Sequence, residues 1–200
     1  MLKEHIIAIT IELFARSGIR KVSMDDIARK AGVSKRTLYG FFDDKEMLLM
    51  QMLDTFFIRA GECLSRLTKE TYTALEIFLL FNEKLMSQPV RFCEEFYQDI
   101  RRYPEACECI MRNRQHFLDM SMRLLKKGVG EGVFCPDINF DIIALLAHEQ
   151  MDMLQPSGMF CKYNRTDVHN TLFLVFIRGI CTDAGRKLLE RYSVKKQFRP

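Results

Sequence analysis

Residues 23–39 read SMDDIARKAGVSKRTLY, and this stretch decides the fold. Ser23 stands before Met24-Asp25-Asp26, an N-cap followed by acids in the first turn of a helix. The helix is expected to end at Ala31, because Gly32 takes a left-handed backbone at no steric cost. Ser34 caps a second, short helix. Two helices joined so tightly must cross closely. Ala28 is small and sits four residues before Gly32, while Ile27, Ala31, Val33 and Leu38 are spaced to fill the wedge between them.

This is the pattern of a helix-turn-helix, in which the second helix enters the major groove of DNA and its N-terminal residues meet base edges. Lys35 and Arg36 reach guanine edges or phosphates, and Thr37 offers a hydroxyl together with a methyl suited to thymine. Tyr39 has a hydroxyl for a phosphate oxygen, and Lys45 falls at a helix N-terminus, where backbone N–H groups also favour an anion. The formal net charge of +4 argues little by itself. Its placement argues more. From Arg16 to Gly40 the basic residues are Arg16, Arg20, Lys21, Arg29, Lys30, Lys35 and Arg36, against Asp25 and Asp26 as the acids.

Outward from this core the periodicity is helical throughout, with no strand, repeat or low-complexity tract. A first helix is expected over Leu2–Ser17, with Ile6, Ile9, Leu13 and Phe14 on one face and Gly18 as its stop. Asp43, with Glu46 three residues on, reads as the capping box of a helix running to about Arg66. Thr73 and Glu76 open a helix to about Met86. Pro89 and Pro104 suit the first turns of two more, the second reaching about Lys127. A loop follows through Gly128, Gly130, Gly132 and Pro136. Asp137 or Asn139 then caps a helix through Leu154, Pro156-Ser157-Gly158 breaks the chain, and a last helix is expected from about Thr166 to Tyr192. About nine helices result. The shift near residue 45 from basic to Met- and Phe-rich composition marks the domain boundary, with 1–45 a helix-turn-helix domain and 46–200 a second helical domain.

The opening Met1-Leu2-Lys3-Glu4-His5 runs into an amphipathic pattern rather than a secretory leader, and the seven cysteines are odd in number and irregularly spaced. A cytoplasmic protein with reduced thiols is expected. The apolar run 171–177 is too short to span a bilayer. No nucleophile elbow, phosphate loop or zinc-protease motif occurs, so no catalytic residue is assigned and an enzyme is not expected. Cys107 and Cys109, two apart on a helix, do not face each other, and a metal would need further ligands such as Cys93 or His116; no metal or cofactor is assigned. The rival classes are an all-helical enzyme or lipid-handling protein without a DNA-binding role, and a DNA-packaging module without an effector.

Residues Ile9 to Leu49 resemble the N-terminal domain of the TetR family of transcriptional regulators. The matching pieces are Leu13-Phe14, Gly18, Ile27-Ala28, Ala31-Gly32-Val33-Ser34, Thr37-Leu38-Tyr39, Phe42 and Lys45-Glu46 with Leu48-Leu49. The match departs at Gly40 and Phe41, where the family often carries aromatic and histidine residues. The resemblance implies an all-α protein with an N-terminal three-helix helix-turn-helix domain and a larger helical domain for ligand binding and dimerisation. It implies operator contacts at Ser23, Lys35, Arg36, Thr37, Tyr39 and Lys45. It also implies a homodimer formed through the last two helices, and a repressor released by a small apolar or amphipathic effector. Those two helices are apolar around much of their circumference, and the dimer interface is expected at Leu146, Met153, Leu172, Val175, Phe176 and Gly179. Gly179 and Gly185 are read as points of close backbone approach at that interface. The effector is expected against Met86, Phe92, Phe96, Tyr97, Phe117 and Met120, because Met and Phe adapt to irregular ligands.

Overall fold

The structure, a computed structural model, describes residues 1–87, 92–152, 160 and 162–197. Among the described residues the chain forms ten α-helices: α1 Leu2–Ser17, α2 Met24–Ala31, α3 Lys35–Tyr39, α4 Lys45–Lys69, α5 Ala74–Met86, α6 Glu94–Ile100, α7 Pro104–Gly130, α8 Phe140–Asp152, α9 Arg165–Ile180 and α10 Asp183–Gln197. The expectations at Pro89, Met153, Leu154 and 156–158 lie outside the described residues. The chain divides into two compact units, one made of Met1–Gly61 with Gln88–Arg114, the other of Glu62–Ser87 with Gln115–Pro200.

In the first unit, α1 buries Ile6, Ile7, Thr10, Phe14 and Ala15, the i, i+4 stripe of an amphipathic helix. The buried Thr10 hydroxyl donates to the Ile6 carbonyl at 2.8 Å, so it leaves no unpaired polar group in the core. Against this stripe pack Ile27 and Leu38 of the helix-turn-helix, Phe42, and Leu48, Leu49 and Met52 of α4. Phe96 and Ile100 of α6 and Ala106 and Cys109 of α7 complete the same cluster. The first unit is thus larger than residues 1–45, since it recruits most of α4, α6 and the first part of α7.

α4 is capped by Asp44, whose Oδ1 accepts the Met47 N–H at 2.7 Å, rather than by Asp43. The Asp43 N–H instead meets the Met47 sulfur at 3.5 Å.

In the second unit, Thr73 and Glu76 form the expected capping box at the start of α5. Asn139, not Asp137, caps α8, accepting the N–H groups of Asp141 and Ile142. The expected last helix is in fact two. The chain is extended at Cys181, where it makes an isolated antiparallel bridge with Phe134, and Thr182 starts α10. Thr182 Oγ1 donates to the Gly132 carbonyl at 2.7 Å and accepts the Gly185 N–H at 3.1 Å. A Cβ on Gly185 would strike the Val133 carbonyl. The close approach at Gly185 is therefore to this loop of the same chain, which corrects its assignment to a dimer interface. Thr182-Asp183, a capping residue followed by an acid, was the available signal for the new helix.

Candidate nucleic-acid interface

The α2–α3 unit is built by local capping. Ser23 Oγ accepts the Asp26 N–H at 3.2 Å and donates to Asp26 Oδ2 at 2.6 Å. Asp26 Oδ2 also accepts the Ser23 N–H at 3.0 Å. These bonds to the charged form hold the Asp26 carboxyl below its ordinary range. Gly32 ends α2 with φ 68° and ψ 29°. Ser34 Oγ accepts the Thr37 N–H at 3.0 Å and lies 2.8 Å from Thr37 Oγ1. His5 Nε2 lies 3.3 Å from the Ala31 carbonyl, tying α1 to the last turn of α2.

On α3 the buried residue is Leu38, which locks the helix to the core. Lys35, Arg36 and Tyr39 are exposed and Thr37 is half-buried, so four of the expected operator residues share one short helix with their polar ends outward. Lys35 Nζ pairs with Asp25 Oδ2 of α2 at 2.5 Å. Ser23 is exposed on the neighbouring helix start, but its hydroxyl proton is already given to Asp26.

Lys45 has an internal role that the sequence reading lacked. Its ammonium donates to the carbonyls of Ile19 and Val22, each at 3.1 Å, so two of its three donors are used within the chain. Burial pushes its pKa down, opposed by the charge of Asp99.

Asp99, on the buried stripe of α6 with Phe96 and Ile100, is a second residue that sequence reasoning missed. Its Oδ2 accepts the Arg20 N–H at 2.8 Å. Nearby, Lys21 and Glu95 pair at 3.0 Å, and the Cys93 N–H donates to the Ala15 carbonyl at 2.8 Å. The Glu95 carboxyl is drawn down to about 2, first by the Lys21 hydrogen bond. α6 and Lys45 together fix residues 18–22, the segment that delivers α2 and α3 to the surface. An acid in the middle of an apolar stripe was the legible hint for Asp99.

The six effector residues divide between the two units. Phe92, Phe96 and Tyr97 belong with the core of the first unit, with ring centroids 4.1 Å apart for Phe92–Phe96 and 5.7 Å for Phe96–Tyr97. Phe117 and Met120 pack in the second unit beside Leu64, Leu67, Ile77 and Leu124, and Phe117 stacks on Phe81 at 6.2 Å. Met86, half-buried, ends α5 in that unit. Of the interface residues, Leu146 and Val175 are exposed, Gly179 faces open space, and Leu172 and Phe176 are half-buried. Cys107 Sγ donates to the Ile100 carbonyl and Cys109 Sγ to Asp54, each at 3.5 Å, and among the described residues no three His, Cys, Asp or Glu side chains converge as metal ligands. Nor is any described helix long and apolar enough to cross a membrane.

Comparison with known proteins places this geometry. Residues 6–52 match the family model "Bacterial regulatory proteins, tetR family". The HTH-type transcriptional repressor KstR2 of Mycolicibacterium smegmatis is 25% identical over 149 residues, covering 70% of this chain and 71% of that protein. The solved structure of the ketosteroid transcriptional regulator KstR2 of Mycobacterium tuberculosis aligns with 92% of this chain and 96% of its own, at 20% identity and a TM-score of 0.60. The fatty acid degradation regulator FadR from Bacillus halodurans aligns with 88% of this chain and 94% of its own, at 18% identity and a TM-score of 0.67. The family match covers most of α1, all of α2 and α3, and the start of α4, and the fold likeness extends through both units. Residues 6–52 therefore carry the domain of the tetR family of bacterial regulatory proteins, and the chain is a DNA-binding transcriptional regulator.

Proposed function

We propose that the chain is a homodimeric repressor that leaves its operator when a small apolar or amphipathic molecule binds the C-terminal part. The observation that carries this reading is α3, whose one buried residue, Leu38, leaves Lys35, Arg36, Thr37 and Tyr39 facing outward on a capped helix. In the proposed complex Lys35, Arg36 and Thr37 read bases, Tyr39 meets the backbone, and Ser23 does so by turning its hydroxyl proton from Asp26 to a phosphate. Lys45 stands behind them, holding residues 19–22. Functionally we divide the chain into a reading domain over 1–45 and an effector and dimerisation domain over 46–200.

One five-residue helix covers too few base pairs to single out a genomic site, so a two-fold pair reading a palindrome is the economical solution. Support for the pair comes from the apolar side chains left in solvent on α8 and α9: Ile142 at 62% exposure, Leu145 at 55%, Leu146 at 45% and Val175 at 67%. We assign effector contact to the half-buried Met86, Phe117 and Met120 of the second unit, ahead of Phe92, Phe96 and Tyr97 of the first. The names of the relatives, a ketosteroid regulator and a fatty acid degradation regulator, favour an apolar or amphipathic effector. α4 starts at Lys45 in the first unit and ends at Lys69 in the second, which gives an effector a continuous element to act on.

Linkage makes the mechanism testable. A hundredfold release requires the effector to prefer free protein over the protein–operator complex by about 2.7 kcal/mol. Calorimetric titration of candidate steroids and acyl compounds into both forms should give affinities differing by the factor seen in DNA release. Equal affinities for the two forms would exclude induction by that route.

A further inference from the structure

The two adjacent acids of α2 do different work. Asp26 is committed to the capping box with Ser23 and also holds Arg29 at 2.9 Å. Asp25 takes no part in the box. It turns across to α3 and pairs with Lys35 at 2.5 Å, with the two side chains 48% and 65% exposed respectively. An ion pair that open to water adds little to folding, so its position matters more than its energy: it sits at the first residue of the helix that faces DNA. A lysine is a flexible point charge on a four-carbon stem. Left free, Lys35 would sample phosphates, which attract it regardless of sequence. Tethered to Asp25, its ammonium is confined between α2 and α3 and keeps two N–H donors for O6 and N7 of a guanine. The carboxylate beside it repels phosphate and leaves that spot to a base edge.

We propose that Asp25 is a specificity-determining residue, which holds Lys35 to one base pair of each half-site and keeps it off the phosphate backbone. This rests on the reading of α3 as the operator-reading helix.

The test uses the full chain and a randomised duplex library to obtain the preferred site, followed by titration of single-base-pair variants and of a scrambled duplex across a salt series. Asp25→Asn leaves the capping box intact, so its melting temperature should match wild type. It should bind scrambled duplex severalfold more tightly, steepen the salt dependence by about one counterion, and lose about two- to fivefold discrimination at one base pair per half-site. Asp25→Glu, which keeps a carboxylate, should retain most of that discrimination. In a Lys35→Met background, Asp25→Asn should leave the preference at that base pair unchanged. The proposal is overturned if Asp25→Asn tightens binding to preferred and scrambled duplexes by the same factor, or if its effect persists without Lys35. A wild-type chain that selects no sequence at all overturns both this inference and the operator reading. A wild-type preference untouched by Asp25→Asn overturns this inference alone.

Discussion

Replacing Gly18 by alanine puts a methyl group where the chain has no space for one. Gly18 closes α1 at φ 79° and ψ 170°, a region essentially closed to side-chain-bearing residues and costing about 1–3 kcal/mol. An ideal Cβ there would lie 2.8 Å from Glu95 Cβ and 2.9 Å from Asp99 Oδ2. Relieving that contact means moving α6, at a cost comparable to overpacking a core, about 1–3 kcal/mol more. The sum is about 2–6 kcal/mol, a large share of the about 5–15 kcal/mol that holds a typical domain together. Gly32→Ala is the matched control, because Gly32 also has positive φ but meets nothing within 4 Å; the left-handed penalty alone is about 1–2 kcal/mol. Urea unfolding followed by circular dichroism should therefore rank wild type above Gly32→Ala, and Gly32→Ala above Gly18→Ala. A Gly18→Ala chain within about 0.5 kcal/mol of wild type, or more stable than Gly32→Ala, refutes the reasoning that α6 clamps this segment.

Three further outcomes follow from the geometry. Lys45→Met strips the Ile19 and Val22 carbonyls of their donor and should cost about 1–3 kcal/mol in chemical unfolding; it should change the salt slope of DNA binding by less than one counterion, and a loss of one full contact would return Lys45 to the phosphate backbone. Val175→Arg changes a residue 67% exposed in the single chain, so melting of the monomer should shift little, while sedimentation should show monomers; a retained dimer moves the interface elsewhere. His169 is buried at 5% exposure, lies 2.5 Å from Asn82 Oδ1 through Nε2, and has its pKa lowered from 6.5 by burial. Its neutral form is the folded one, so the unfolded chain takes up the proton first: the stabilisation is complete above pH 6.5 and is lost as pH falls below it. Melting scans from pH 7.5 to 5 should show this loss in wild type and not in His169→Gln, and parallel curves for the two would rule out His169 as its source.

The parts of this molecule that were legible in its sequence are those fixed by neighbours along the chain. α1 runs over Leu2–Ser17 as its apolar stripe and Gly18 indicate, and Ser23, Gly32, Ser34 and Thr73 act as the caps their positions suggest. Capping is local chemistry within three or four residues, and it survives tertiary packing. The choice of Asp44 over Asp43 turned on a one-residue shift that both acids could satisfy. The contacts that locate the reading helices were not legible, because they join residues 79 and 26 apart in sequence, Asp99 to the Arg20 amide and Lys45 to the Ile19 carbonyl. A single polar side chain aimed at a loop backbone leaves no periodic signal. The break at Cys181–Thr182 was hidden for a related reason. The apolar pattern runs through it, and the loop at Val133–Phe134 that forces it lies far away in sequence.

The central claim is that α3 reads DNA. Its most direct test is a footprint of the purified chain on the DNA flanking its own coding sequence, repeated with Arg36 and Thr37 both replaced by alanine. The account predicts a protected, two-fold symmetric site for wild type, and loss of that site in the double variant while its circular dichroism stays helical. Equal protection by the two proteins, or none by wild type at concentrations where it is folded, contradicts it.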